Sequence, residues 1–179
     1  MSLTLKGYNM TDFINKCRAF GKNRLELSSK MKTPDDWKEK WPDSENDYIY
    51  KLGPCWTHMI EYYVDDFEAE VGFMIDVMGF KTFIVDTNER VCIVTNPGHN
   101  FYFSFYEASK QGKEPTPKDA LKLSLMVEDI EEVGKKLESR EIQFCDKLHP
   151  SMEGSPMLRG FIRTPAGIPI EFWGMAKQQ

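Results

Sequence analysis

A short acidic motif occurs twice in this chain with an offset of 63 residues: Val64-Asp65-Asp66-Phe67-Glu68 returns as Val127-Glu128-Asp129-Ile130-Glu131. Each copy sits where a β-rich run gives way to a helical pattern led by an acidic cap. The spacing predicts a strand over Trp56–Val64 and a helix over Asp66–Val77 closed by Gly79. Three strands follow, Lys81–Val85, Arg90–Thr95 and Asn100–Tyr106, with turns at Asp86–Asn88 and Asn96–His99. The order then restarts with a strand over Leu121–Val127 and a helix over Asp129–Arg140, where Asp129 and Glu132 have capping-box spacing. Strands over Ile142–Cys145, Met157–Arg163 and Ile168–Gly174 complete the second set. The turn Thr164-Pro165-Ala166-Gly167 echoes Asn96-Pro97-Gly98. The pattern is βαβββ written twice, and an internal duplication on that scale restricts the architecture more than any other feature of the sequence.

The first fifty residues differ in kind. Apolar residues at Met10, Phe13, Ile14, Cys17, Phe20 and Leu27 approach helical spacing over Asn9–Lys32. Thr33-Pro34-Asp35-Asp36 then reads as a cap, a proline at the first helical position and acids in the first turn. The expected organisation is a helical extension over residues 1–53 and a domain over 54–179, with modules at about 54–108 and 119–175 joined by the polar, proline-bearing stretch Gln111–Lys118. Residues 1–52 carry a net charge of +2 and the remainder −7, for the overall −5. So acidic a domain is a poor match for phosphate backbones or anionic lipid, so neither nucleic acid nor membrane is expected as a partner. No run reaches the roughly 18 apolar residues of a membrane span, and Met1–Gly7 does not resemble a secretory signal. The four cysteines, Cys17, Cys55, Cys92 and Cys145, are widely spaced. Buried thiols in a reducing, cytoplasmic setting are the expectation.

Residues 56–174 resemble the vicinal-oxygen-chelate superfamily, which includes glyoxalase I, bleomycin and fosfomycin resistance proteins and extradiol dioxygenases. The resemblance rests on the run from Val64 through Asp66, Phe67, Glu68 and Phe73 to Gly79-Phe80, with Met74 where a tyrosine is usual. Thr164-Pro165-Ala166-Gly167-Ile168-Pro169-Ile170-Glu171-Phe172 supports it. It implies an α+β fold in which two paired βαβββ modules form a cupped mixed sheet, here with an N-terminal helical extension, and commonly a homodimer. It also implies a divalent metal inside the cup on side chains from first and last strands, serving as a Lewis acid. The fold hosts enzymes and pure binders alike, so function must come from the site.

Strand alternation tests the metal positions. With Asp66 opening the helix, Ile60, Tyr62 and Val64 face it, and Met59, Glu61 and Tyr63 face the cup. In the second module Leu123, Leu125 and Val127 face the helix, which leaves Lys122, Ser124 and Met126 in the cup. Phe101, Phe103 and Phe105 pack outward and Tyr102, Ser104 and Tyr106 inward; Ile170 and Phe172 pack outward and Glu171 and Trp173 inward. The four positions are then Met59, Ser104, Lys122 and Glu171. A thioether, a hydroxyl and an ammonium are not ligands for a hard or borderline divalent ion. No metal and no other cofactor is therefore expected; the alternative is a Zn, Ni, Fe or Mn site.

That alternative needs an irregular first strand turning His58 inward beside Glu171, since a one-residue slip puts a side chain on the opposite face. His99 reads as a turn residue, and His149 lies on a loop near the cavity mouth in relatives. Lys122 and Glu171, the candidate catalytic pair, either bind an anionic group and supply a base or form a structural ion pair in the vacated site; breaking a buried pair of that kind would cost about 3–5 kcal/mol. Met59, Glu61, Tyr63, Tyr102, Ser104, Ser124 and Trp173 are the candidate ligand-binding residues, and their aromatic walls suit a planar ligand or plain core filling. Arg159 and Arg163 read as a solvated strand edge, or an anion site at the rim. Three readings of function follow: a metal-free protein that binds or modifies a small organic molecule, a metal-dependent lyase, isomerase or dioxygenase using His58 and Glu171, and an interaction module working through the N-terminal helices.

Overall fold

The computed structural model describes residues 22–23, 30, 33, 35–36, 48–50, 53–55, 59–98 and 101–175. The chain divides into two compact units, with the boundary between Thr116 and Pro117.

The first unit holds a five-stranded sheet of order β1-β5-β6-β7-β4. Its strands are β1 (Lys22–Asn23), β4 (Met59–Val64), β5 (Lys81–Asp86), β6 (Val91–Thr95) and β7 (Tyr102–Glu107). A separate hairpin pairs β2 (Tyr48–Tyr50) with β3 (Gly53–Cys55). Helix α1 (Phe67–Asp76) follows β4 and is capped by Asp66, whose Oδ1 accepts from the Ala69 amide at 3.0 Å. A short helix, α2 (Ala108–Gln111), ends on Gly112 at φ 62°. The edge of β4 is covered rather than left open: the Tyr63 amide donates to Thr116 Oγ1 at 2.9 Å and the Thr116 amide donates to the Tyr63 carbonyl at 2.8 Å.

The second unit repeats the scheme with β8 (Leu123–Asp129), α3 (Ile130–Glu138), β9 (His149–Pro150), β10 (Met157–Arg163) and β11 (Pro169–Met175). Its sheet order is β8-β11-β10-β9. Asp129 Oδ1 caps α3 through the Glu132 amide at 2.9 Å, the counterpart of Asp66. In both βαβββ modules the first strand lies parallel to the last, β4 to β7 and β8 to β11, and the pairings among the module's other strands are antiparallel. The duplication read from the sequence is thus realised as one topology built twice.

Alternation assigns the faces as expected. Tyr62, Val64, Phe103 and Phe105 are buried with Phe67, Val71, Phe73 and Met74 of α1. Phe103 is the hub of that layer, with ring centroids of Phe101, Phe105, Tyr62 and Phe80 at 4.8, 5.7, 6.1 and 6.1 Å. Burial and the nearby charge of Glu70 push the Tyr62 phenol up to about 12.

Several expectations differ from the structure; of the thiols expected to be buried, Cys92 is buried and Cys145 is exposed. Within the helix expected over Asn9–Lys32, Lys22–Asn23 form a strand parallel to Ile84–Val85. The open edge of β5 offers backbone partners that helical periodicity does not register. Lys30 is helical, and the rest of that stretch lies outside the described residues. The short helix start at Thr33 is present: its amide donates to Asp36 Oδ2 at 2.8 Å, and the Asp36 amide donates back to Thr33 Oγ1 at 3.3 Å.

The strand expected over Ile142–Cys145 is also absent, because Ile142 belongs to the stop of α3. Its amide donates to Leu137 O at 3.0 Å, the Glu141 amide donates to Glu138 O at 2.9 Å, and Glu141 stands at φ 60°. This is a Schellman arrangement with glutamate where glycine is usual, and Ile142 is buried with Leu137. The edge strand forms later, at His149–Pro150, although the Cys145 amide already donates to Phe161 O at 2.8 Å.

Candidate functional site

Each unit closes its own half of the expected metal positions. In the first, Ser104 Oγ donates to Met59 Sδ at 2.7 Å, and Met59 packs against Phe83, Ile84, Ile93 and Tyr102. Tyr102 and Ser104 are wholly buried. Tyr106 donates to Glu61 Oε1 at 2.9 Å and stacks on Tyr63 with 5.3 Å between centroids. This face of the first sheet is filled by its own side chains, and neither of its expected ligand positions presents a free donor.

The second unit brings together Lys122, Ser124, Glu171 and Trp173. The parallel pairing of β8 with β11 sets Ser124 beside Glu171 and Met126 beside Trp173. Glu171 is 6% exposed. Its Oε2 receives Lys122 Nζ at 3.0 Å, Trp173 Nε1 at 2.6 Å and Ser124 Oγ at 3.4 Å. Burial alone would raise this carboxyl, but the bonds from Lys122 and Trp173 and the charges of Lys122 and Arg159 outweigh it and hold it below its ordinary value. Lys122, expected to be buried with its partner, has a side chain 48% exposed. It stands just ahead of β8, the edge strand of its sheet.

A cleft of about 420 Å³ opens in front of this carboxylate. Lys122, Glu171, His149, Arg159, Phe161 and Arg163 are among its walls. The antiparallel pairing of β10 with β11 sets Arg159 opposite Trp173, Phe161 opposite Glu171 and Arg163 opposite Pro169. Arg159 and Arg163 therefore share the face of Glu171, where the sequence reading favoured a solvated edge. The signal was available. The turn that closes this hairpin is marked by Thr164-Pro165-Ala166-Gly167, and counting back across it from Glu171 reaches Phe161. Gly167 makes the turn possible: it stands at φ 86°, its amide donates to Thr164 O at 2.8 Å, and a Cβ there would fall 2.8 Å from Lys118.

Arg163 Nη1 donates to Asp119 Oδ1 at 2.9 Å and to Gly167 O at 2.8 Å. Arg159 Nε donates to His149 Nε2 at 3.0 Å, and its guanidinium carbon lies 5.7 Å from the Trp173 ring centroid. His149 Nδ1 lies 3.1 Å from Lys147 O. His149 thus enters the cleft wall as the sequence suggested. His58 and His99 lie outside the described residues.

The donor set does not fit the superfamily's divalent ion. Glu171 already holds an ammonium at 3.0 Å, and Ser104 and Met59 satisfy each other. Among the described residues no three His, Cys, Asp or Glu side chains cluster as ligands would, and no helix is long and apolar enough to cross a membrane.

No family model matches the sequence, and no curated protein matches it either. Solved structures do. A member of the glyoxalase/bleomycin resistance protein/dioxygenase superfamily from Sphaerobacter thermophilus superposes with a TM-score of 0.51 at 22% identity, over 69% of this chain and 98% of that one. Lactoylglutathione lyase from Agrobacterium tumefaciens does so with 0.51 at 16% identity, over 65% and 90%. An integron cassette protein from the mobile metagenome of a Halifax Harbour sewage outfall gives 0.51 at 20%, over 66% and 97%. At these identities the likeness establishes architecture: the chain has the fold of the vicinal-oxygen-chelate superfamily over about two thirds of its length.

Proposed function

We propose that this protein binds a small organic molecule in the cleft of its second βαβββ unit and does so without the divalent metal that the superfamily resemblance implies. The observation that carries the reading is the occupied Glu171 carboxylate, with Lys122, Trp173 and Ser124 all on Oε2. A carboxylate held below its ordinary value is a weak general base, which favours binding over proton abstraction. The test is metal content. Protein purified without chelator, loaded with Zn, Ni, Fe or Mn and dialysed, is expected to retain far less than one ion per chain. Retention of about one ion, lost again in His58→Ala, would overturn the reading in favour of the metal-dependent alternative.

The same pair predicts a stability result. Because Lys122 is half exposed and Glu171 keeps its bond from Trp173, Lys122→Met is expected to cost about 1 kcal/mol, well below the figure for a fully buried pair. Adding Glu171→Gln should recover part of it in a double-mutant cycle. The depressed Glu171 carboxyl contributes stability that is present above its unfolded pKa and lost as pH falls through its folded value. The gap between wild type and Lys122→Met in urea titrations should therefore close on acidification. A gap independent of pH would show that the pair does not act through charge.

A further inference from the structure

The cations of the cleft are not equivalent. Lys122 is paired with Glu171 and Arg163 with Asp119. Arg159 has the His149 ring on Nε, and among the described residues no carboxylate reaches ion-pair distance of it. Its terminal nitrogens form the open end of a planar fork, the geometry that takes a carboxylate through two parallel hydrogen bonds. The fork is already oriented, by the bond to His149 on one side and by Trp173 beneath it. Less side-chain entropy is then lost on binding. Next along β10 on the same face stands Phe161, half-buried on the cleft wall with Pro169 near it. An anion-binding group beside an aromatic wall defines a ligand with a charged end and a flat apolar body.

The charged walls sum to zero, so it is their pairing, not net charge, that favours an anion over a cation. Glu171 is neutralised by Lys122, so an incoming cation would have to displace that ammonium. Asp146, the remaining carboxylate on the wall, is exposed at the rim. The Arg163 guanidinium carbon lies 5.6 Å from the Phe161 ring centroid, and an inorganic anion would use Arg159 but not the remaining apolar surface of Phe161 and Pro169.

Building on the cleft-binding reading, we propose that the ligand is an aromatic carboxylate, its carboxylate seated on the terminal nitrogens of Arg159 and its ring against Phe161. Arg159 then determines specificity for acid over neutral analogue.

The experiment is calorimetric titration of the full chain with 1-naphthoate and with the neutral, near-isosteric 1-naphthamide. Wild type is expected to bind the acid about tenfold more tightly than the amide, as a lost two-point charged contact implies. Arg159→Gln should bring the two within about twofold. Arg159→Lys keeps the charge but not the fork, and should lose a large part of the preference; it also serves if the glutamine variant folds poorly. Arg140→Gln, at the exposed end of α3, should keep the preference intact. Equal affinity for acid and amide in wild type, survival of the preference in Arg159→Gln, or no binding of either probe up to ~1 mM would each overturn the inference. The metal-content result is independent of all three, so failure here and failure of the metal-free reading can be told apart.

Discussion

Phe103→Ala is expected to lower the unfolding free energy by about 3–5 kcal/mol, the range for emptying a buried phenylalanine site. The position explains why the upper part of that range applies. Phe103 is 2% exposed and touches four other rings drawn from three different segments, Tyr62 on β4, Phe80 after α1, and Phe101 and Phe105 on its own chain. No single neighbour can move to fill the void without uncoupling the sheet from α1. Phe101→Ala, at a half-buried position on the same aromatic row, should cost much less. Denaturant titration of both variants checks this, and equal losses would mean that the helix layer is not organised around Phe103.

The second large effect is expected at Arg90. Its guanidinium binds Glu68 in α1 and Glu107 at the end of β7, the latter at 2.6 Å through Nε, and lies 4.8 Å from the Phe67 ring centroid. The partners are 16% and 23% exposed. One cation thus ties the first helix to the last strand of its unit. Removing it in Arg90→Met leaves two carboxylates close together and poorly solvated, a loss of about 2–4 kcal/mol after allowing for their partial exposure. The pH dependence follows from Glu107. Burial would raise that carboxyl, but its bonds from Arg90 and Ser109 hold it below its ordinary value. Its contribution is present above the unfolded pKa and disappears as pH falls through the folded one. The deficit of Arg90→Met should therefore be full at neutral pH and shrink in acid, as the stranded carboxylates take up protons. Arg90 also stands at φ 58°, so Arg90→Gly relieves backbone strain while losing the same ion pairs, and should be slightly less damaging than Arg90→Met.

Local chemistry carried much of the architecture into the sequence. Asp66 and Asp129 cap their helices because a short carboxylate before an amphipathic run accepts from the amide three residues on, whatever the surroundings. Alternation placed Tyr62, Val64, Phe103 and Phe105 on the helix side, and Met59, Ser104, Lys122 and Glu171 on the other, since a strand has a period of two wherever one face is buried. The pairing of Lys122 with Glu171 needed nothing more than that rule applied to two strands.

What remained hidden depended on partners far along the chain. The stop of α3 uses Glu141 in a left-handed conformation that its residue type does not advertise, and the edge strand forms several residues beyond it, at His149–Pro150. Lys22–Asn23 became strand because an edge of the sheet was open to them, a fact about β5 rather than about their own periodicity. The half exposure of Lys122, at the edge of its sheet, was likewise not written in the alternation of β8.

The same division holds for the site. The sequence by itself determined a doubled βαβββ scheme, its helix caps and the face on which the residues of the first and last strands of each module lie. Only the tertiary structure decided that Arg159 would have no carboxylate at ion-pair distance among the described residues, steadied instead by His149 from β9 and Trp173 from β11. Cross-strand register and burial are set by contacts between distant segments, and one residue's chemistry cannot specify which charge will find its partner and which will be left facing the cleft.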